Sequence, residues 1–185
     1  VASSFWVVYA IEQIGLSAAA WGLILLIETV LRILWFMPAG ILVDRWGRTK
    51  SLLAALLLSL LTIPLFTFAE NFTAVLLIRA AVAVAFATAI PACTALLADI
   101  VPREIRGRAM SAIGQGGIML GAVGGGTGGP GVGYIVTIPL MIASLAGGYL
   151  YSLSPAYPWF FVAVATAISI VLVALFIRDP QQAEI

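Results

Sequence analysis

Long runs of apolar side chains recur along this chain, and they decide which solvent it can fold in. Residues 52–68 carry no ionisable group, and neither do residues 158–177. A helix needs about 20 such residues, rising 1.5 Å each, to cross roughly 30 Å of hydrocarbon. The composition closes the alternative of a soluble domain. Apolar residues make up 63% of the 185 and charged residues 9%, with a mean hydropathy of +1.15. Soluble domains run at about 45–50% apolar and about 25% charged. A soluble fold of this size has too little interior to hide the excess. The chain reads as an integral membrane protein whose first partner is the lipid bilayer.

With that ruler the sequence divides into six predicted helices, at about 1–14, 18–46, 51–68, 73–100, 134–153 and 158–178. Gly15-Leu16-Ser17 makes a tight turn, the polar pair Glu70-Asn71 stops the third helix, and Pro102 ends the fourth. Pro91 lies within the fourth. The first helix is short and opens on Val1 without a charged leader, which gives the expectation of a piece of a longer chain rather than a signal peptide.

Basic residues set the orientation. Arg45, Arg48 and Lys50 follow the second helix, Arg103, Arg106 and Arg108 follow the fourth, and Arg178 ends the sixth. The connections at 15–17, 69–72 and 154–157 carry no Lys or Arg. Lys and Arg gather on the cytoplasmic side, so both ends are expected inside a plasma membrane. Tyr149, Tyr151, Tyr157 and Trp159 are expected at the opposite interface, where amphipathic rings settle.

Residues 114–133 resist this scheme: eleven of the twenty are Gly and one is Pro130. Gly costs about 1 kcal/mol per helical residue relative to Ala, so a Gly-rich connection is expected after a short interfacial or helical segment from Ala109 to about Gly121. Gly124-x-Gly126-x-x-Gly129 matches a dinucleotide fingerprint in form only. No strand precedes it and no acidic residue follows at the required distance.

Several functions fall away on residue types. The chain has no His and one Cys, Cys93. A histidine base, a His-dependent nucleophile, a multi-cysteine metal site and an intramolecular disulfide are thereby excluded within it. No cofactor is expected. A net charge of +1 provides no basic surface for nucleic acid.

One motif carries chemistry. Gly40-Ile41-Leu42-Val43-Asp44-Arg45-Trp46-Gly47-Arg48-Thr49-Lys50 lies where the second helix gives way to the third. Gly40 lets a neighbouring helix approach, and Gly47 allows the backbone geometry of a tight helix end. Asp44 is placed to meet an Arg or a helix N-terminus, while Arg48 and Lys50 face the anionic leaflet. The run resembles the signature loop of the major facilitator superfamily of secondary transporters, Gly-x-Leu-x-Asp-Arg-x-Gly-Arg. Gly40, Leu42, Asp44, Arg45, Gly47 and Arg48 agree with it, and Thr49 departs. Ala98-Asp99-Ile100-Val101-Pro102-Arg103-Glu104-Ile105-Arg106-Gly107-Arg108-Ala109 resembles the loop after the fourth helix of a half.

The resemblance implies an all-α fold, one six-helix half of a twelve-helix transporter built as two inverted three-helix repeats. The chain's stop soon after Arg178-Asp179-Pro180 suggests the C-terminal half. The other six-helix half of the same chain would be its partner. The first and fourth helices are implied to line the central cavity, and the third and sixth to face lipid. The implied function is transport of a small solute by alternating access, with a coupled proton as an option, and no enzyme activity. A six-helix channel subunit is the alternative; its filter or charge ring would have to be found in the Gly-rich run.

The implied gate comprises Gly40, Asp44, Arg45, Gly47, Arg48, Asp99, Arg106 and Arg108. Asp44 is expected to meet Arg108 or a nearby helix start, and Arg48 to meet Asp99; Glu104 is a further partner for these arginines. Charges inside the helices mark a second candidate site, because each costs about 2.5–3.5 kcal/mol at a helix centre. Glu28 and Arg32, spaced i to i+4, either neutralise each other or face a cavity. Tyr9, Glu12 and Gln13 form a polar patch on the first helix, and Arg79 lies in the fourth. Glu12 either pairs with Arg79 or both reach for the outer interface. Trp6, Trp21 and Trp35 are expected to pack or face lipid. Small-residue ladders, Ala81, Ala85, Ala89 and Cys93, then Ala143/Gly147 and Ser144/Gly148, are expected to be close-packing faces.

Overall fold

A computed structural model describes residues 5–113 and 134–177. The Gly-rich stretch at 114–133 and Arg178 lie outside these residues. The described chain is helical: α1 (Phe5–Glu12), α2 (Ala18–Trp46), α3 (Arg48–Leu65) with a 3-10 turn (Phe66–Phe68), α4 (Phe72–Ile100), α5 (Arg106–Ile113), α6 (Tyr134–Leu153) and α7 (Tyr157–Phe176). Among the described residues α2, α3 with its 3-10 turn, α4 and α7 are long and apolar enough to cross a membrane.

Local chemistry sets the helix ends. Ser17 caps α2 by accepting a hydrogen bond from Ala20 N at 3.1 Å, and Asn71 caps α4 by accepting from Ala74 N at 2.9 Å. α1 ends at Glu12, before Gly15 turns the chain at φ +76°. α3 begins at Arg48, three residues before the expected start at Ser51. Gly47, at φ +95° and ψ 151°, closes α2 and opens α3, so the turn consumes a single residue. Only Gly occupies that region readily. The Ser51 backbone and hydroxyl both donate to Gly47 O, at 3.1 and 2.8 Å. Pro64 withdraws a donor near the end of α3, and the chain tightens into the 3-10 turn, where Thr67 Oγ1 donates to Pro64 O at 2.8 Å.

α4 is the central helix. α2 and α3 both pack along it, and α7 packs on α3. Two apolar clusters hold the bundle. One joins Trp6, Tyr9, Phe66, Val75, Val82 and Trp159 around the 3-10 turn. The other joins Val43, Leu52, Leu56, Ala92 and Leu96 beneath the α2–α3 turn, with Val173 and Ile177 of α7 against it. Trp159, expected at the membrane–water boundary, is fully buried, in edge-on contact with Trp6 at 4.5 Å. Tyr149 and Tyr157 are exposed.

The outward faces are apolar. On α3 the exposed Leu57, Leu61 and Leu65 recur every fourth residue, while Leu52, Ala55, Leu56 and Ile63 are buried. Only Pro158 and Trp159 of α7 are buried. α2 exposes Leu26, Val30, Ile33, Leu34, Met37 and Ile41. Such surface is ruinous in water and ordinary in lipid, where apolar side chains lose nothing by exposure. Both the composition and this exposed surface make the chain an integral membrane protein.

Candidate functional site

The face of α2 that meets α4 carries Trp21, Ile24, Glu28, Ala39 and Val43, spaced by three, four, eleven and four residues so that they share one side of the helix. Glu28 is the only acidic residue in that row. It is 2% exposed, and it lies opposite Arg79 of α4, which is 3% exposed. The Glu28 carboxylate accepts from both neighbours: Oε1 from Arg32 Nη2 on the same helix, Oε2 from Arg79 Nη2 across the interface. The Arg79 guanidinium also lies over the Trp6 ring, 4.5 Å from its centroid, and 5.6 Å from that of Trp21. Three helices thus converge on one cation. Paired charges and aromatic faces are what make its burial tolerable.

This arrangement corrects two expectations. Arg79 turns to Glu28 and not to Glu12, because Glu28 projects from the packed face of α2 whereas Glu12 is exposed at the end of α1. Glu12 instead accepts from the Tyr151 hydroxyl of α6 at 3.4 Å. The polar patch on α1 is also divided. Glu12 and Gln13 are exposed, whereas Tyr9 is buried against Phe66 and Trp159 and donates to Thr67 O at 3.3 Å. Glu28 and Arg32 do pair, but within a larger cluster.

Trp6 and Trp21, expected to pack or to face lipid, flank the buried Arg79 cation, and Thr88, which carries no signal in the sequence, joins a polar contact. Trp35 Nε1 donates to Thr88 Oγ1 at 3.1 Å, a polar link between α2 and α4 on the side of Glu28 nearer the α2–α3 turn. Trp21, Glu28 and Trp35 recur every seventh residue, and that spacing was the available signal.

The second constellation lies at the α2–α3 turn. Arg48 opens α3 and forms an ion pair with Asp99 near the end of α4, both side chains partly exposed. Arg106 Nη2 donates to Val101 O at 3.3 Å, tying the start of α5 to the end of α4. Asp44, Arg45 and Arg108 are exposed, and among the described residues Asp44 forms no ion pair with Arg108 or any other cation. Its helical position, one turn before Gly47, directs it away from α4, where the buried Val43 packs. A Cβ added at Gly40, Gly107 or Gly148 would meet nothing within 4 Å, so no described helix makes a close approach at these glycines. Among the described residues no cluster of His, Cys, Asp and Glu is arranged to hold a metal ion.

Comparison with known proteins agrees with this architecture. The sequence profile of the Major Facilitator Superfamily matches residues 1–184. The chain is also similar to the class H tetracycline resistance protein of Pasteurella multocida, with 26% identity over 167 residues. That alignment covers 90% of this chain and 37% of the relative, so the chain spans little more than a third of the relative's length. A profile match across nearly every residue, together with the signature loop and the apolar helices, shows that the chain belongs to the major facilitator superfamily.

Proposed function

We propose that the chain is one six-helix half of a secondary transporter, moving a small solute across the membrane by alternating access. The observation that carries this reading is the Arg48–Asp99 pair. It joins the signature turn between α2 and α3 to the foot of α4, and therefore ties together helices that belong to different three-helix repeats. Such a contact, made in one state and broken in the other, biases a two-state equilibrium. Asp44 and Arg45 at the end of α2 and Arg106 and Arg108 at the start of α5 supply the remaining charges of a cytoplasmic latch. The half is built as inverted repeats, with both ends cytoplasmic and a second six-helix half completing the central cavity. Glu28, Arg32 and Arg79 line the solute path from this half, with Tyr9, Glu12 and Gln13 at its outer end. A proton is the candidate coupling ion, and the chain has no enzyme activity of its own.

The tetracycline resistance relative supports a transporter handling a small organic solute, without identifying it. The test is solute flux in proteoliposomes. The full-length transporter should move solute, the charge-swapped pair R48D/D99R should retain more flux than either single variant, and the 185 residues alone should insert without transporting. Flux through the six-helix segment alone, or a swap no better than its parts, overturns this reading.

A further inference from the structure

The charges buried between α2 and α4 do not sum to zero. Glu28 supplies one negative charge against the positive charges of Arg32 and Arg79, and no other acid among the described residues pairs with them. Both oxygens of Glu28 are committed, one to each guanidinium. Nε and Nη1 of Arg79 and Nε of Arg32 remain buried without an acceptor among the described residues. The Trp6 and Trp21 rings do not meet that need. Guanidinium N–H groups donate in the plane of the group, whereas a ring attracts the cation as a whole through its own face. Buried polar groups in native proteins are normally hydrogen-bonded, so the three idle donors call for an acceptor, and the one net positive charge favours an acceptor that is negative.

We propose that the Glu28–Arg32–Arg79 cluster binds the carboxylate of the transported solute. The proposal rests on the transporter reading above and names the substrate class of that path. A carboxylate only accepts hydrogen bonds, and its planar oxygens match guanidinium donors. A cation is repelled by the surplus charge, and a neutral solute leaves it uncompensated. Arg32 is the route of entry. Its side chain is 13% exposed, against 3% for both Glu28 and Arg79, and it is followed on α2 by the exposed Ile33 and Leu34. Trp6 and Trp21 supply a dry aromatic wall beside Arg79, which strengthens any ion pair made there.

Three probes of one shape separate charge from bulk: benzoate, benzamide and benzylammonium. Binding to the full-length transporter in nanodiscs is read from tryptophan emission and from the thermal unfolding midpoint. Benzoate should bind and raise the midpoint, and the other two should not. Arg32→Gln removes the surplus charge yet keeps the Glu28–Arg79 pair, so it should weaken benzoate binding about tenfold or more. Arg32→Lys keeps the charge but loses the planar fork of donors, so it should weaken benzoate binding less than Arg32→Gln does. Equal binding of benzamide or benzylammonium, or equal benzoate binding by Arg32→Gln, overturns the carboxylate site. Absence of benzoate binding also overturns it, the countercharge then coming from the protein itself. Flux assays keep the two readings apart. Transport of a cationic or neutral solute with no response to benzoate sinks this inference and leaves the transporter intact. No flux of any solute sinks the transporter reading.

Discussion

Glu28→Gln tests whether the buried charge cluster holds α2 against α4. The carboxylate pairs with a cation on its own helix and another on α4, and both Glu28 and Arg79 are almost entirely buried. Replacing it with an amide preserves shape and one acceptor, but strands two positive charges in an apolar interface. Breaking a buried pair from one side costs about 3–5 kcal/mol, and the tryptophan faces offset only about 0.5–2 kcal/mol of that. A net loss of about 1–4.5 kcal/mol is expected. Arg32→Gln should cost less, about 1 kcal/mol, because Arg32 is partly exposed and its pair lies within one helix. The double variant Glu28→Gln/Arg79→Gln removes both partners across the interface, so its loss should fall short of the sum of the single losses by about 1–3 kcal/mol. The assay is a double-mutant cycle on unfolding in mixed micelles, followed by tryptophan emission. Additivity within about 0.3–0.5 kcal/mol would falsify the claim that Glu28 and Arg79 interact across α2 and α4.

The other predictions address the α2–α3 turn and the topology. Asp99→Asn removes a partly exposed pair worth about 1 kcal/mol or less, enough to shift a two-state population up to several-fold. Thiol labelling at the foot of α4 should rise accordingly, while Asp44→Asn, which breaks no pair among the described residues, should change it less. Gly47→Ala forces a side chain into a backbone region that only Gly adopts readily, and should cost about 1–3 kcal/mol by thermal unfolding. Gly40→Ala meets nothing within 4 Å of its added carbon and should leave the bundle as stable or raise it by about 0.5–1 kcal/mol. In a Cys93→Ala background, a cysteine at the exposed Glu70 should react with impermeant reagents from outside and one at the exposed Lys50 only from inside. Labelling of position 50 in intact cells reverses the orientation.

What the sequence determined by itself is the part of the fold that depends on neighbours along the chain. Apolar runs of bilayer length demand helices because backbone donors and acceptors in lipid have no water to turn to. The ends of α2 were legible for the same local reason: Ser17 supplies a cap acceptor and Gly47 the required backbone geometry. The signature loop identified the family, since its residues are contiguous. The partner of Arg79 was not legible. Glu12 and Glu28 are both acids in apolar helices, and only the packing of α2 on α4 puts Glu28 on the buried side and leaves Glu12 exposed. Likewise nothing in the order of residues says that Trp6 shields Arg79 or that Trp35 bonds Thr88, and although the Arg48–Asp99 pair was expected, the lack of an ion pair for Asp44 among the described residues was not. Periodicity tells which residues share a face, but the rotation of each helix against its neighbours decides which face is buried. That rotation is set by the fit of many side chains at once.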